Sequence, residues 1–172
     1  MRQIFVLFMM LLMVGCSAKY QLIKIGDSPS IAKIKKGESI LISVPSDGYY
    51  GAYRYANSGR MTAQAIKNAF SRYTNNVKFS SCSSMDKCLQ MAIEKGYAYL
   101  VFPEIMHWED RATEWSGKPD RIEIKIIVID VLNKKEISSV IIKGRSKWLT
   151  FGGDHPQDLL SDPINAYVST LF

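Results

Sequence analysis

The stretch RIEIKIIVIDVLNKKEISSVIIKGRSKW (residues 121–148) decides the fold of this 172-residue chain. Residues 121–131 are dominated by isoleucine and valine, residues 137–148 carry Ile137, Val140, Ile141 and Ile142, and the five residues at 132–136 (Leu-Asn-Lys-Lys-Glu) join them as a hairpin. Two long antiparallel strands follow from that reading. On the second, Lys143, Arg145 and Lys147 alternate with Ile142, Gly144, Ser146 and Trp148, which lines three cations along one face. That face is either a solvated exterior, partly neutralised by Glu123 on the neighbouring strand, or a surface for an acidic partner.

Working outward, the mostly apolar segment 97–108 reads as a central strand that completes a three-strand antiparallel meander. Ahead of it, Met85, Cys88, Leu89, Ala92 and Ile93 repeat at helical spacing, with Ser84 as N-cap and Gly96 at the C-terminal end. Residues 77–80 read as a strand. Residues 61–73 read as a helix with Thr62, Ile66, Ala69, Phe70 and Tyr73 on one face, and 39–45 as a short buried strand followed by a Gly- and Tyr-rich loop over 46–60. Asp162-Pro163 starts a last helix, Asp as cap and Pro in the first turn, with Ile164, Tyr167, Val168 and Leu171 facing inward. The fold class is therefore α/β: strand-helix-strand-helix, then the meander and a C-terminal helix. Helical crossovers make the early strands parallel, so the sheet is mixed.

The N-terminal residues stand apart from this domain. Arg2 supplies a positive charge, residues 4–14 are an unbroken apolar run, and Met13-Val14-Gly15-Cys16 resembles the lipobox of bacterial lipoproteins. The run is about half the ~20 residues of a membrane span and is followed by Lys19, so it reads as a cleaved signal. The resemblance implies diacylation of the Cys16 thiol, cleavage before it, and acylation of the new N-terminus. Two or three chains, palmitate among them, give an anchor that does not exchange readily. Ser17, rather than Asp, after the cysteine implies the outer membrane, with the protein facing the periplasm.

This divides the chain into a signal peptide (1–15), a lipidated cysteine and tether (16–38), and a single periplasmic domain (39–172). Gly26, Ser28, Pro29, Ser30 and Gly37 interrupt the tether, Lys33, Lys35 and Lys36 solvate it, and a short strand is expected near 20–25. The formal charge of +6 falls to about +5 once Arg2 is removed, which favours acidic partners such as anionic head groups, peptidoglycan carboxylates or an acidic protein surface. Nucleic acid is excluded by the compartment. No cofactor is implied.

With Cys16 taken by lipid, Cys82 and Cys88 are the cysteines left in an oxidising compartment, and a disulfide between them is expected. It would staple the chain ahead of the Ser84 cap to the fourth helical position. A redox or metal role is the weaker alternative, because the spacing is neither C-x-x-C nor a zinc knuckle.

The element order resembles the periplasmic domain shared by the N-terminal part of the translocation protein TolB, the curli secretion lipoprotein and the lipoprotein activator of penicillin-binding proteins. The stretches HWEDRATEWSGKPDR (107–121) and FGGDHP (151–156), with the Tyr-Gly loop and the cysteine pair, look like a family of uncharacterised proteobacterial lipoproteins. These motifs imply membership and leave the activity open.

The chemistry rests on the 107–121 loop, which packs two Trp, one His, four acids, two Arg and a Lys into fifteen residues. His107, Glu109 and Asp110 with Asp154 and His155 would be a ligand or acid/base set if the two loops meet, although no H-x-H, H-E-x-x-H or nucleophile elbow is present. A second reading is ion pairing, with Arg111 and Arg121 holding Glu109, Asp110, Glu114 or Asp120. A third is a recognition surface, formed by Trp108, Arg111, Trp115 and Arg121 with Tyr49, Tyr50, Tyr53, Asp154 and His155, because Trp, Tyr and Arg anchor interfaces and stack on sugars. Trp108, at the end of the apolar strand, is also expected to cap the core. The function expected is that of a non-enzymatic accessory or scaffolding lipoprotein contacting an envelope protein or peptidoglycan; the alternative is a glycan-binding or hydrolytic protein acting through the Trp and acid loop.

Overall fold

Isoleucine on both faces of one strand demands cover on both sides, and the fold is built around that demand. The computed structural model describes residues 19–25, 33–111, 118–146 and 155–172. In chain order it contains β1 (Lys19–Lys24), β2 (Ile40–Ser43), β3 (Tyr49–Tyr50), β4 (Tyr53–Arg54), α1 (Ser58–Phe70), β5 (Val77–Ser80), α2 (Met85–Glu94), β6 (Tyr99–Glu109), β7 (Arg121–Asp130), β8 (Lys135–Arg145), a 3-10 turn (Pro156–Leu159) and α3 (Ser161–Ser169). Six strands form one sheet in the order β1-β8-β7-β6-β2-β5, and β3 and β4 form a separate hairpin. β2 runs parallel to both β5 and β6, while β6, β7, β8 and β1 pair antiparallel, so the sheet is mixed as the helical crossovers require.

One face of β7 presents Ile122, Ile124, Ile126 and Val128, all buried in the larger core with Ile40, Ile42, Ile66, Phe70, Trp108 and Tyr167. The opposite face is divided. Ile127 and Ile129 pack with Leu41, Leu100, Cys88 and Ala92 beneath α2, whereas Arg121 is exposed and Glu123 and Lys125 are half-buried. An amphipathic helix as short as α2 covers only about half of a ten-residue strand such as β7.

Several elements depart from the sequence reading for identifiable reasons. α1 starts at Ser58 rather than 61, because the Asp47 carboxylate accepts the Gly59 N–H at 3.0 Å and serves as a cap from outside the helix. Gly59 is required there, since a β-carbon would collide with the Pro45 carbonyl oxygen. Asp162 lies in the first turn of α3 instead of capping it. The 3-10 turn runs straight into that helix, and the Leu160 carbonyl accepts the Ile164 N–H at 3.2 Å.

The stretch read as a tether joins the domain wherever it is described. β1 pairs with β8 from Lys19↔Arg145 to Lys24↔Val140. Ile34 is buried in the core, its N–H donating to the Leu171 carbonyl at 2.7 Å, and Lys33 donates to the Thr170 carbonyl at 2.9 Å. Without β1 the isoleucine-rich β8 would be the exposed edge of the sheet.

Cys82 and Cys88 are bonded, with Cα atoms 5.5 Å apart, and the Ser84 hydroxyl accepts the Lys87 N–H at 3.4 Å. The thiols should resist alkylation in native protein until reductant is added. Replacing both by serine should lower stability by about 2 kcal/mol without abolishing the fold, since the bridge closes a short loop. Urea titration reads this directly, and free native thiols would overturn the pairing. Trp108 is 1 % exposed, and its loss to alanine should cost about 3–5 kcal/mol in the same titration.

Candidate functional site

β6 is longer than its neighbour. β2 pairs only with Tyr99, Leu100 and Val101, so the upper half of β6 needs another flank, and the loop after β2 supplies it. Gly48 sits against Trp108 and Ile105, where a β-carbon would lie 2.5 Å from the Trp108 β-carbon. Its N–H donates to the Ser58 hydroxyl at 2.8 Å and its carbonyl accepts the Tyr55 N–H at 3.0 Å. Between those bonds the chain makes the β3–β4 hairpin, Tyr49↔Arg54 and Tyr50↔Tyr53, turning at Gly51 with φ +58°. Arg54 donates to Asp47 at 2.8 Å, tying the hairpin to the residue that caps α1. The product is a braced hairpin with Tyr49, Tyr50 and Tyr53 exposed by 55, 43 and 65 %.

The facing strand supplies the second half of the site. A register shift between Ile105 and His107 interrupts the β6–β7 ladder. Beyond it His107 and Glu109 stand two apart on one side of the strand, while Trp108 goes into the core. Glu109 is 2 % exposed and accepts from both neighbours: His107 Nε2 lies 3.1 Å from Oε2, and the Arg111 guanidinium donates to Oε1. Burial works to raise the Glu109 carboxyl, but the hydrogen bonds and charges of His107 and Arg111 outweigh it and hold the group below its ordinary range. Arg111 also donates to the Tyr50 hydroxyl at 2.8 Å, with its guanidinium 5.4 Å from the ring centroid, and His107 meets the same ring edge-on at 5.5 Å.

A second carboxylate fixes the backbone beneath. Asp120 is 1 % exposed, accepts the Arg111 N–H at 2.6 Å, and exchanges bonds with Ser146 that prolong the β7–β8 ladder. Burial pushes the Asp120 carboxyl up. Tyr55 donates its hydroxyl to the Asp110 carbonyl and accepts the Asp110 N–H, both at 3.3 Å, and His155 lies 3.7 Å from the Asp110 carboxylate.

The structure thus brings Tyr50 and Arg111 together, with Tyr49 and Tyr53 beside them on the hairpin and His155 against Asp110. Arg121 stands apart, opening on a cleft with Lys19 and Arg145. Trp108, read both as a surface candidate and as a cap on the core, is a core residue, because the strand alternation turns its ring inward, away from His107 and Glu109. Cys16, Trp115 and Asp154 lie outside the described residues, as does Glu114. Asp47 escaped the sequence reading, having no motif to mark it, and Asp120, read there as an ion-pair partner, instead accepts the Arg111 backbone N–H. The two histidines belong to separate ion pairs, and among the described residues no group of three or more His, Cys, Asp or Glu is arranged to hold a metal.

The two buried carboxylates act oppositely on stability. The Glu109 contribution is present above the ordinary carboxylate value and is lost as pH falls through its depressed native value; the Asp120 contribution is present at low pH and is lost as pH rises through its raised value. Glu109→Gln should therefore flatten, and Asp120→Asn steepen, the loss of stability between about pH 5 and about pH 3, measured as urea midpoints. Parallel slopes in wild type and Glu109→Gln would contradict the ion-pair assignment.

With this geometry established, comparison with solved structures places the fold. The chain is similar to the PelC dodecamer structure from Paraburkholderia phytofirmans, with TM-score 0.68, 12 % identity, and coverage of 89 % of this chain and 97 % of that one. A point variant of the same protein gives TM-score 0.64 at 12 % identity, covering 89 % and 98 %. The LpoB C-terminal domain from Salmonella enterica matches at TM-score 0.41 and 13 % identity, over 63 % of this chain and 82 % of that one. No curated protein matches by sequence. The model of a domain of unknown function, DUF4823, matches residues 32–171, and the chain belongs to that family.

Proposed function

We propose that the protein is a non-enzymatic accessory lipoprotein of the bacterial envelope, held in the outer membrane by acyl groups on Cys16 and facing the periplasm, and that it binds an envelope protein through Tyr49, Tyr50, Tyr53 and Arg111. The observation that carries this reading is the braced tyrosine hairpin. Three tyrosines stand in solvent on a turn whose base is tied by Asp47–Arg54 and whose tip is tied through Tyr50 to Arg111 and Glu109. Aromatic side chains held in place before binding lose little entropy when a partner covers them, which makes them effective anchors. His107 and Glu109 are hydrogen-bonded to one another, and the Glu109 carboxylate also holds Arg111.

The anchor is supported by the residues ending in Cys16, and no helix among the described residues is long and apolar enough to cross a membrane. Metabolic labelling with a fatty acid analogue should mark the wild type and not Cys16→Ser. The binding surface is tested with a photo-crosslinking residue at position 52, exposed in the hairpin turn, in intact cells. A discrete protein adduct is expected, and Tyr49→Ala with Tyr53→Ala should weaken its capture at least about tenfold, with the melting temperature unchanged. Retention on isolated peptidoglycan, abolished by the same substitutions, would replace the protein partner by glycan.

A further inference from the structure

Among the described residues, the cations on the sheet face beyond α2 stand in rows across neighbouring strands. Lys19, Arg145 and Arg121 are direct cross-strand partners on β1, β8 and β7, so three like charges stand in one row, an arrangement that costs stability when nothing opposes it. The next row is balanced, since Glu123 pairs with Lys143 at 3.1 Å. In the first row the residue opposite Arg121 on β6 is Glu109, which already holds Arg111 and His107, and among the described residues Lys19, Arg121 and Arg145 have no carboxylate of their own. They border an open cleft of about 600 Å³ that also takes in Tyr20 and Met106, exposed by 49 and 53 %.

The position of this row along the chain names its occupant. Lys19 follows Cys16 by three residues, which span at most about 11 Å at full extension, and each neighbouring strand adds about 4.8 Å. An acyl group on Cys16 therefore brings Lys19 into or beside the headgroup layer, with Arg145 and Arg121 behind it. We propose that Lys19, Arg145 and Arg121 seat the domain on phosphate-bearing anionic headgroups of the membrane that holds Cys16, with Tyr20 at the interface. This rests on the anchor reading above. The headgroup phosphates supply the charge that the row lacks, and the domain lies on the bilayer instead of swinging from it.

The test uses the full acylated chain in vesicles of phosphatidylcholine alone or mixed with phosphatidylglycerol, reading the rate at which an amine-reactive reagent modifies Lys19, with Lys87 on α2 as internal control. Each cation beside an anionic surface contributes about a fivefold preference, so phosphatidylglycerol should slow Lys19 modification by at least about tenfold while leaving Lys87 unchanged. High salt, or Arg121→Gln with Arg145→Gln, should remove most of that protection, and the variant should melt no lower than wild type because like-charge repulsion is relieved. Equal Lys19 rates in both vesicle types, with the acyl label intact, would overturn the headgroup seat and leave the anchor standing. Protection by inorganic phosphate with phosphatidylcholine alone would overturn the membrane assignment. Absence of label on wild type would overturn the anchor itself, and this orientation with it.

Discussion

A carboxylate excluded from water must be neutralised where it sits, and Glu109 imposes that requirement on everything around it. Its two oxygens take His107 and Arg111, and both of those then meet the ring of Tyr50. Tyr50 in turn belongs to a hairpin whose base crosses Trp108 at a glycine. Buried ion pairs seldom add net stability over an apolar replacement of the same shape, but they are selective about position. Here the position enforced is that of a loop more than fifty residues earlier in the chain.

The parts of the fold legible in the sequence are those whose cause is local. The alternation and length of 121–131 and 137–148, the four-residue run at 77–80, and the periodicity of Met85 to Ile93 each express a burial pattern within a single element, and β5, α2, β7 and β8 stand close to where those patterns put them. What was not legible depends on residues far apart. Nothing near Ser58 announces that Asp47 will cap its helix, and two-residue strands such as β3 and β4 are too short to show a period. The strand expected near 20–25 is β1, but that it joins the domain depends on β8, more than a hundred residues away.

The site follows the same division. The crowding of charge at 107–121 was visible as composition, and one of its readings, ion pairing through Arg111 and Glu109, is what the strand alternation produces. The partner that turns this pairing into a surface, Tyr50, lies 61 residues from Arg111, beyond any local signal. Asp120 was hidden differently: an acid beside Arg121 suggests a salt bridge, yet its oxygen takes a backbone N–H and its burial is that of a structural residue.

The pairing of the first strand with the last has a consequence for how the chain becomes a protein. β1 finds its partner in β8, and Ile34 bonds to Leu171, so early and late segments of the described chain close upon each other. Contacts of such separation form late, because the loop between them must be ordered first. β1 therefore stays unpaired until β8, more than a hundred residues later in the chain, is available. The bond between Cys82 and Cys88 spans six residues and is under no such delay. It can close as soon as both cysteines have been made and oxidised, giving α2 a fixed start before the sheet that it covers is complete.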